Sequence, residues 1–474
     1  MVLKRRVNEM ATFNNEYRRD EAAFVVLYGR RRVGKTALIN HFCEDKPAIY
    51  FLATEENESE NRNTFKNLVA DTFDNDLLAE SSLNSWEPIF KVIAEESKKE
   101  RLILVIDEFQ YLGKANPSFP SIMQKIWDTV LSKSNIMLIL CGSLINMMTS
   151  QVLSYDSPLF GRRTAQIKLK QIEFSYYHEF NEKLDPDEQI LRYAVTGGVP
   201  KYINIFRDED DIYAAIKKNI LSTSSFLYAE PEFLLQKEVS EIGSYFSILK
   251  TIASGNHKLG KIATALEVPQ TKLTSYLRNL IDLDIIEREV PITEENPEKS
   301  KMGLYKIKDN FISFWFRFVY PNKGLLESGR TDFVEEKIRK NLIDNHVSYV
   351  YEDICRQKTW DLLSDSLMFN RVGRWWGAKN VEIDIVAYDS NGSDILFGEC
   401  KYSKNKKGLS VLNTLVEKSR EVKWNIGRRR EHFVIYSKNG FSEELLEYAE
   451  NNSNVYLIHI MHLMQCGNID TIIS

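Results

Sequence analysis

The sequence predicts an α/β protein in which two α/β domains flank a largely helical region. Residues 24–30 (FVVLYGR) form a short apolar run that ends in a glycine turn, and similar runs occur at residues 102–107 (LILVID) and 136–143 (IMLILCGS). Segments with helical character separate these runs, which is typical of a parallel sheet covered on both faces. A second α/β pattern begins near residue 335 and contains two alternating strands around a polar turn.

Length and composition indicate a multidomain globular protein. At 474 residues the chain is too long for one ordinary hydrophobic core, so about two to four domains are expected. A formal net charge of -5 excludes a uniformly basic nucleic-acid coat, so any such contact needs a local patch. The five scattered cysteines suit reduced thiols in a cytoplasmic protein. The start MVLKRRVNEM lacks the apolar core of a secretory signal and no run reaches bilayer length, so we expect no membrane partner.

Residues 29–36 read GRRRVGKT, a complete GxxxxGKT motif between a predicted strand and a predicted helix. Gly29 and Gly34 let backbone amides surround phosphate groups, and the N-terminus of the following helix adds a favourable dipole. We expect Lys35 to reach the β and γ phosphates, and the Thr36 hydroxyl to be a magnesium ligand. The motif therefore predicts ATP and Mg²⁺ as cofactors.

Polar residues end the next two apolar runs. Asp107 is suited to hold magnesium through water, and Glu108 to polarise the attacking water, as phosphoryl transfer requires. An acidic pair at a strand end is often only a helix N-cap, but its position after a phosphate-binding loop favours the catalytic interpretation. Gly142 and Ser143 end the third run, where Ser143 can sense the γ phosphate; a simple turn is the alternative.

The segments YGRRRVGKTALI, VIDEFQYL, CGSLINMM, SPLFGRR and TGGVPKY follow in this order over the first half of the chain. They resemble the archaeal-type ATPase family, a branch of the AAA+ and STAND-related P-loop ATPases, which implies an ATP-hydrolysing enzyme with a helical lid. Arg162 and Arg163 match the family's SPLxGRR motif. The match implies that they sense or complete the nucleotide site, including that of a neighbouring subunit in a homo-oligomer. A surface ion pair is the alternative, and the arginines at 30–32 are expected to form a solvated face.

Residues 245–308 have the apolar spacing of three packed helices followed by a β-hairpin, which together predict a winged helix. In the third helix Leu273, Leu277 and Leu280 are expected to be buried, while Lys272, Ser275, Tyr276 and Arg278 can point outward. A helix of this kind fits the major groove of DNA, with its polar residues on base edges or phosphates. The mild charge of the helix leaves DNA contact and protein contact equally open.

The segment VEIDIVAYDSNGSDILFGECKYS predicts two strands of a hairpin that carry charged residues. Glu399 and Lys401 are two residues apart and share one face of their strand, and hairpin pairing can bring Asp384 to the same place. Asp384, Glu399 and the carbonyl of Cys400 are suited to bind magnesium, and Lys401 to orient or deprotonate water. Glu352 in the upstream helix can supply a further acid. A surface hairpin with an ordinary Glu-Lys pair is the alternative.

This arrangement, with the segments DNFISFWFRFVYPN, RWWGAKNVEIDIVA and GECKY, resembles the PD-(D/E)xK nuclease-like domain of the domain-of-unknown-function 234 type, which follows archaeal-type ATPase modules in many proteins. The name-giving proline before Asp384 is absent, and Glu382 occupies that region. The resemblance implies a restriction-endonuclease-like α/β fold, whose members can lose cleavage activity. We expect four regions: a P-loop ATPase domain with helical extension at 1–235, a winged helix at 236–310, an aromatic linker at 311–335 and the nuclease-like domain at 336–474.

Two further clusters bear on partners. Between Gly398 and Arg430 there are ten Lys or Arg residues against three Glu, which suits contact with a nucleic-acid backbone, although a solvated helix face is the alternative. His459, His462 and Cys466 suggest zinc, but their surroundings have core character and the ligand set is incomplete, so we expect no zinc site.

These inferences predict an ATP-dependent protein that acts on DNA, in which the nucleotide state controls a magnesium-dependent nuclease-like domain. One alternative is a regulatory switch that binds nucleic acid without cleaving it. The other is an ATP-driven signalling scaffold with a protein partner. Metal-dependent cutting separates the first two interpretations, and nucleic-acid binding separates both from the third.

Overall fold

The computed structural model describes residues 6–209, 211–363, 367–377 and 381–464. The chain divides into two compact units, the first comprising Met1–Gln171 with Gln236–Val239, and the second comprising Ile172–Leu235 with Ser240–Ser474. The four regions expected from the sequence, with boundaries at residues 235, 310 and 335, stay predictions.

The first unit contains a parallel sheet with helices on both faces. Its strands are β1 (Ala23–Tyr28), β2 (Ala48–Leu52), β3 (Leu102–Asp107), β4 (Ile136–Gly142) and β5 (Ala165–Lys168). Its helices are α1 (Val7–Tyr17), α2 (Lys35–Cys43), α3 (Glu58–Thr72), α4 (Asp76–Glu80), α5 (Glu87–Glu96), α6 (Gln110–Ala115), α7 (Phe119–Thr129) and α8 (Ile145–Met148). The strand order is β2-β3-β4-β1-β5, and all neighbouring strands are parallel.

The three central strands are the apolar runs that the sequence identified. Every residue of β1, β3 and β4 is buried, whereas β2 and β5 at the edges include partly exposed residues. Phe42 of α2 packs on Phe13 of α1 within the core of one face, with 4.8 Å between ring centroids. Phe24 of β1 packs on Trp127 of α7, with centroids 4.9 Å apart. The predicted parallel α/β sheet is confirmed, and the carboxyl ends of its strands meet at one edge, where ligands bind in sheets of this type.

The helical part of the second unit leads to a two-stranded hairpin. Its helices are α9 (Pro186–Thr196), α10 (Pro200–Phe206), α11 (Ile212–Ile216), α12 (Glu230–Glu238, of which the end belongs to the first unit), α13 (Ile242–Ala253), α14 (Leu259–Leu266) and α15 (Gln270–Asp282). Strands β6 (Ile286–Glu289) and β7 (Leu304–Ile307) are antiparallel. Helices α16 (Asn310–Phe314), α17 (Lys323–Glu327) and α18 (Thr331–Leu342) follow.

Helix α15 presents the expected apolar side to the interior. Leu273, Leu277 and Leu280 are buried, and Lys272, Ser275 and Arg278 are exposed. Tyr276 differs from expectation, because it is only half-exposed: its hydroxyl donates to Glu241 and its ring packs against Tyr245 with centroids 5.1 Å apart.

The segment expected to be an aromatic linker, residues 311–335, is mostly helical, and its aromatic first half is largely buried. Phe311, Phe314, Trp315 and Phe318 lie in the interior of the second unit. The Trp315 indole N–H donates to the carbonyl oxygen of Tyr228 over 2.7 Å. Burial of these large rings explains why so many aromatic residues are concentrated here, since each contributes a large apolar area.

The C-terminal part of the second unit is a mixed five-stranded sheet. After α19 (Ser348–Leu363) come β8 (Arg371–Trp376), β9 (Glu382–Tyr388), β10 (Asp394–Lys401), α20 (Leu409–Ser419), β11 (Arg430–Ser437), α21 (Glu443–Glu450) and β12 (Val455–His459). The order is β12-β11-β10-β9-β8. β8, β9 and β10 are antiparallel neighbours, while β10, β11 and β12 are parallel. This separate mixed sheet agrees with the predicted second α/β domain.

Short π turns and 3₁₀ turns extend several helices or join elements. The π turns are Thr149–Leu153, Lys217–Leu221, Trp315–Val319 and Ile343–Val347, and the 3₁₀ turns are Leu131–Lys133, Phe174–Phe180, Tyr320–Asn322 and Ile460–Met464. Among the helices described here, none is both long and apolar enough to cross a membrane.

His346 makes the stability of the second unit sensitive to acid. The ring is buried and its Nε2 lies 2.6 Å from the carbonyl oxygen of Ala194. Burial lowers the pKa of His346 from 6.5 to about 4. As the pH falls, this histidine therefore takes up a proton in the unfolded chain before it does so in the folded chain. The contribution of neutral His346 to the free energy of unfolding is present above pH 6.5 and is lost toward pH 4.

We expect His346→Gln, which keeps an amide donor but does not titrate, to reduce this acid sensitivity. Between pH 7 and 4.5 the free energy of unfolding of the unmodified chain should fall by about 2 kcal/mol more than that of the variant. Urea unfolding at both pH values measures the difference, and the exposed His41→Gln is the matched control. Equal losses in the unmodified chain and in His346→Gln would contradict the assignment.

Candidate functional site

The loop between β1 and α2 has the backbone that a phosphate site needs. Gly29 has a φ of 153°, and a Cβ atom there would lie 2.4 Å from the carbonyl oxygen of Leu169. Gly34 has a φ of 102° and immediately precedes α2. A side chain at Gly29 would collide with neighbouring backbone, and Gly34 adopts the left-handed conformation that glycine accepts at little cost. The two glycines thus shape the loop and leave the N-terminus of α2 facing it.

Lys35 is buried at the start of α2 and is folded onto this loop. Its Nζ donates to the carbonyl oxygens of Gly29 over 2.8 Å and Arg30 over 3.0 Å. Burial lowers the pKa of Lys35. A phosphate group offers this ammonium stronger acceptors than two neutral carbonyls, because hydrogen bonds between ionised groups are the stronger kind.

Asp107 ends β3 with both carboxylate oxygens hydrogen bonded. Oδ1 accepts from the backbone N–H of Glu108 over 2.8 Å, and Oδ2 accepts from the hydroxyl of Tyr50 on β2. Thr36 lies in the first turn of α2, and its side chain is close enough to the same tyrosine to influence the pKa of the phenol. The structure therefore places the two expected magnesium ligands, Thr36 and Asp107, near one phenol. Sequence reasoning missed Tyr50, because nothing in the edge-strand segment AIYFL distinguishes it from a packing residue.

Glu108 and Ser143, both expected at the nucleotide site, contact each other. The Glu108 Oε2 accepts from the Ser143 backbone N–H over 3.2 Å and from its hydroxyl over 2.8 Å, and Gln110 donates to the same oxygen. Glu108 has a φ of 53°, a left-handed conformation that is uncommon outside glycine and that costs energy. Arg31, which was not expected here, donates to the Ser143 hydroxyl over 3.4 Å.

The arginines of the SPLFGRR segment have partners of their own. Arg162 makes two-pronged contacts with Asp128 at 2.9 Å, and donates to the carbonyl oxygens of Pro158 and Phe160. Arg163 lies over the ring of Phe160 at 5.6 Å. The contact between Arg162 and Asp128 is an ion pair, which was the alternative to a nucleotide role. A role at the nucleotide stays a prediction for both arginines.

The expectation of a solvated face at residues 30–32 is wrong for one member. Arg30 is buried, with 6% of its surface exposed. The carboxylate of Glu238 accepts backbone hydrogen bonds from Ile145 over 3.0 Å and Asn146 over 3.4 Å. Burial raises the pKa of Glu238, and the charges of Arg30 and Arg31 oppose that rise. The charge of Arg30 therefore acts on this internal carboxylate. Glu238 lies far downstream of the loop in the sequence, so no local pattern reveals the contact.

The donor set at this loop fits magnesium bound together with ATP. A hydroxyl from Thr36 and a carboxylate from Asp107 are hard oxygen donors, and magnesium in such sites takes its other ligands from phosphates and water. Within the part of the chain that the structure describes, no cluster of three or more His, Cys, Asp or Glu side chains is arranged to hold a metal.

The second unit brings Asp384, Glu399 and Lys401 together at the end of its sheet. β9 and β10 pair up to Ile385 and Gly398, and the next residues along each strand are Asp384 and Glu399. The backbone N–H of Cys400 donates to Asp384 Oδ2 over 2.8 Å. Lys401 Nζ contacts Glu399 Oε1 at 2.6 Å. Asp384 and Glu399 are both buried.

Lys418 on α20 is a member of this group that sequence reasoning did not include. Its Nζ lies 2.9 Å from Glu399 Oε2 and 3.2 Å from Oε1. Leu412 and Leu415 of the same helix pack with Ile395 and Phe397 of β10, which fixes Lys418 above the face that carries Glu399. The apolar spacing of α20 could have placed Lys418 near the sheet, but not opposite a particular carboxylate.

The carboxyl groups of the second unit influence each other. Burial raises the pKa of Asp384, and the negative charge of Glu399 raises it further. Burial also raises the pKa of Glu352 on α19, with the charge of Asp384 as the next cause. The charge of Asp384 therefore acts on Glu352, and the role of Glu352 as a further acid stays a prediction. Such displaced pKa values in a cluster are typical of functional sites, although ion-pair networks produce them too.

A partly buried ion-pair network lies beside this group and joins it to the β6–β7 hairpin. Lys306 of β7 contacts Asp353 at 2.9 Å and Glu289 at 2.8 Å. Arg356 contacts Asp353 at 2.6 Å and donates to the backbone carbonyl of Asp384 over 3.2 Å. Burial raises the pKa of Asp353, but Lys306 and Arg356 outweigh it and hold that pKa at about 2. The hairpin thus supports the backbone beneath the candidate site.

The remaining clusters are less complete. Arg429 is used internally, donating to the carbonyl oxygens of Val422 and Ser419, and Arg430 pairs with Asp394. The basic stretch from Gly398 to Arg430 is therefore only partly available to a partner. His459 and His462 have ring centroids 6.4 Å apart, and Cys466 lies outside the described residues.

Comparison with known proteins agrees with both units. A family described as "ATPase domain predominantly from Archaea" matches residues 4–206, and one described as "Archaea bacterial proteins of unknown function" matches residues 315–411. The uncharacterized protein MJECL04 of Methanocaldococcus jannaschii is 35% identical over 422 residues, which cover 88% of this chain and 92% of that protein. The chain therefore belongs to the family of ATPases found predominantly in Archaea.

Two further similarities are narrower. The uncharacterized protein MJ0424 of Methanocaldococcus jannaschii is 44% identical over 55 residues, which cover 12% of this chain and 53% of that protein. The Walker-type ATPase PABY2304 of Pyrococcus abyssi superposes with a TM-score of 0.52 at 19% sequence identity, covering 66% of this chain and 96% of that chain. That likeness concerns the fold. The family, and not this likeness, identifies the chain as a P-loop ATPase.

We expect Lys35→Ala to abolish measurable ATP binding by the archaeal-type ATPase. The substitution removes the ammonium that compensates phosphate charge. Titration of a fluorescent ATP analogue measures the affinity, and Lys98→Ala, which changes an exposed lysine, is the matched control. Undiminished affinity in Lys35→Ala would rule out the phosphate role of this residue.

We expect Glu108→Gln to retain ATP but to hydrolyse it at least about a hundredfold more slowly. The amide cannot polarise the attacking water, whereas the phosphate contacts are unchanged. Steady-state phosphate release and nucleotide affinity, measured on the same sample, separate the two effects. Turnover at the rate of the unmodified enzyme would show that another group positions the water.

Proposed function

We propose that this ATPase acts on DNA and that its nucleotide state controls a magnesium-dependent, nuclease-like C-terminal domain. The observation that carries the proposal is the convergence of Asp384, Glu399 and Lys401 at the end of β9 and β10, where the charge of Asp384 also acts on Glu352. Two carboxylates and a lysine are the groups that metal-assisted phosphodiester hydrolysis uses.

The first unit supplies ATP binding and hydrolysis. Lys35 binds the β and γ phosphates, and the amides at the start of α2 surround them. Thr36 and Asp107 would hold magnesium, which neutralises charge on the phosphates when it is bound. Glu108 orients and polarises the attacking water when the Glu108 carboxylate is free to contact that water. Ser143, which now donates to Glu108, is suited to report whether the γ phosphate is present.

The C-terminal domain supplies the phosphodiester chemistry. Asp384, Glu399 and the Cys400 carbonyl would hold magnesium, which would activate water and stabilise charge on the phosphate when it is bound. Lys401 orients that water or takes its proton. The order α19, β8, β9, β10, α20 and β11, with antiparallel strands followed by a parallel one, supports the likeness to restriction-endonuclease folds.

Contact with DNA is supported by exposed basic residues near both predicted DNA-binding elements. Lys272 and Arg278 are exposed on α15, the helix expected to enter a groove. Lys404, Lys406 and Arg428 are exposed in the basic stretch of the C-terminal domain. Backbone contacts of this kind would make binding fall steeply with salt concentration.

A second candidate function is binding of nucleic acid without cleavage. Glu399 has both oxygens paired with lysines, since Lys401 contacts Oε1 and Lys418 contacts Oε2. This pairing balances the buried carboxylate without a metal ion, so the group can be stable as a purely structural cluster.

A nuclease assay separates the two functions. With single- and double-stranded DNA, Mg²⁺ and ATP, the unmodified chain should cut, and Lys401→Ala should lose at least about a hundredfold in cutting rate while ATP hydrolysis persists. Lys340→Ala, which alters an exposed lysine of α18 outside both basic elements, should keep cutting.

Asp384→Asn tests the metal role at the same site, because the amide oxygen can still accept from the Cys400 N–H. The variant should remain folded and lose cutting. DNA binding with no cutting by the unmodified chain on any substrate would favour the non-cleaving function, and the absence of DNA binding would contradict both.

A further inference from the structure

Tyr50 occupies a defined position beside the end of β3. In the parallel pairing of β2 with β3, Tyr50 lies opposite Val105 and Leu52 lies opposite Asp107. Side chains two residues apart on a strand point to the same face, so Tyr50 and Asp107 share a face of the sheet. A tyrosine side chain is long enough to reach such a diagonal neighbour, and its hydroxyl donates to Asp107 Oδ2.

The phenol lies between the two residues expected to hold magnesium. Asp107 Oδ1 is fixed by the backbone N–H of Glu108, so the tyrosine contact completes the orientation of the carboxylate. The Thr36 side chain is also close to the Tyr50 phenol. Tyr50 on β2 therefore lies between Thr36 on α2 and Asp107 on β3, and it is hydrogen bonded to Asp107.

The chemistry and surroundings of Tyr50 suit this role. A tyrosine hydroxyl ordinarily has a pKa of about 10, so it keeps its proton and can donate to a carboxylate at neutral pH. The ring packs against the apolar core on its side of the sheet. The ring and the hydroxyl therefore have different roles. Packing holds the ring in place, and only the hydroxyl oxygen contacts the polar site.

We propose that Tyr50 is a positioning residue for the metal site, whose hydroxyl holds the Asp107 carboxylate in a fixed orientation relative to Thr36. The magnesium role of Thr36 and Asp107 belongs to the proposed function, on which this assignment rests. Fixing a ligand before the ion arrives lowers the cost of binding, since less side-chain freedom is lost at that moment. Loss of the hydroxyl should therefore weaken the effect of Mg²⁺ and leave the direct contacts between protein and phosphate intact.

Tyr50→Phe tests this with nucleotide binding as the readout. Affinity for a fluorescent ATP analogue is measured in EDTA and then over a series of Mg²⁺ concentrations. The affinity in EDTA should equal that of the unmodified chain, whereas the Mg²⁺ concentration for half of the metal effect should rise about tenfold, as expected for loss of one hydrogen bond to a charged group. Tyr17→Phe, which removes a hydroxyl that donates to the Arg101 carbonyl over 3.4 Å, should change neither value.

A purely structural role for the hydroxyl would lower both affinities together, and an unchanged Mg²⁺ requirement in Tyr50→Phe would also overturn the assignment. Combination with Asp107→Ala adds a second check, since the Tyr50 change should have no further effect on Mg²⁺ dependence once the carboxylate is gone. If the unmodified chain itself binds ATP without any Mg²⁺ effect, the metal role in the proposed function fails and the assignment of Tyr50 falls with it. If only the Tyr50→Phe effect is missing, the metal role stands and Tyr50 is a packing residue.

Discussion

A carboxylate at the end of a buried strand loses much of its hydration, and its charge needs hydrogen bonds, a cation or a proton in return. Both candidate sites of this ATPase are organised by that requirement. In the first unit Asp107 is held by Tyr50 and by the Glu108 backbone. In the second, Glu399 has two lysines, and Asp384 has the Cys400 N–H and a raised pKa. The apolar strands place the acidic residues in the interior. Residues from neighbouring elements supply the hydrogen bonds and positive charges that stabilise them there.

The sequence was informative where function and fold depend on adjacent residues. The GxxxxGKT motif predicted the loop at Gly29 and Gly34, and the uniform burial of β1, β3 and β4 produced apolar runs that predicted the central sheet. The hairpin of β9 and β10 was also predictable, because alternation and a polar turn define its register. In each case the deciding contacts lie within a few residues along the chain or within one strand pair.

Residues that act through distant contacts could not be predicted in this way. Tyr50 is 57 residues from Asp107, and Lys418 is 19 residues from Glu399 on a different element. Arg162 illustrates the opposite case, where a motif residue is engaged by Asp128, 34 residues away, in an ion pair that no local pattern reveals. The network of Lys306, Asp353 and Arg356 likewise needs the folded hairpin, and removing one member would leave a partly buried charge unpaired.

We propose that the chain holds divalent cations at two chemically separate places, one with the nucleotide and one at Asp384 and Glu399. Electron paramagnetic resonance of bound Mn²⁺, used in place of Mg²⁺, can count these ions with a non-hydrolysable ATP analogue present. We expect one class of bound ion that requires the analogue and is lost in Asp107→Ala, and a second class that does not require it and is lost in Asp384→Asn. A single class, dependent on the analogue and unchanged in Asp384→Asn, would show that the second site does not bind a metal ion.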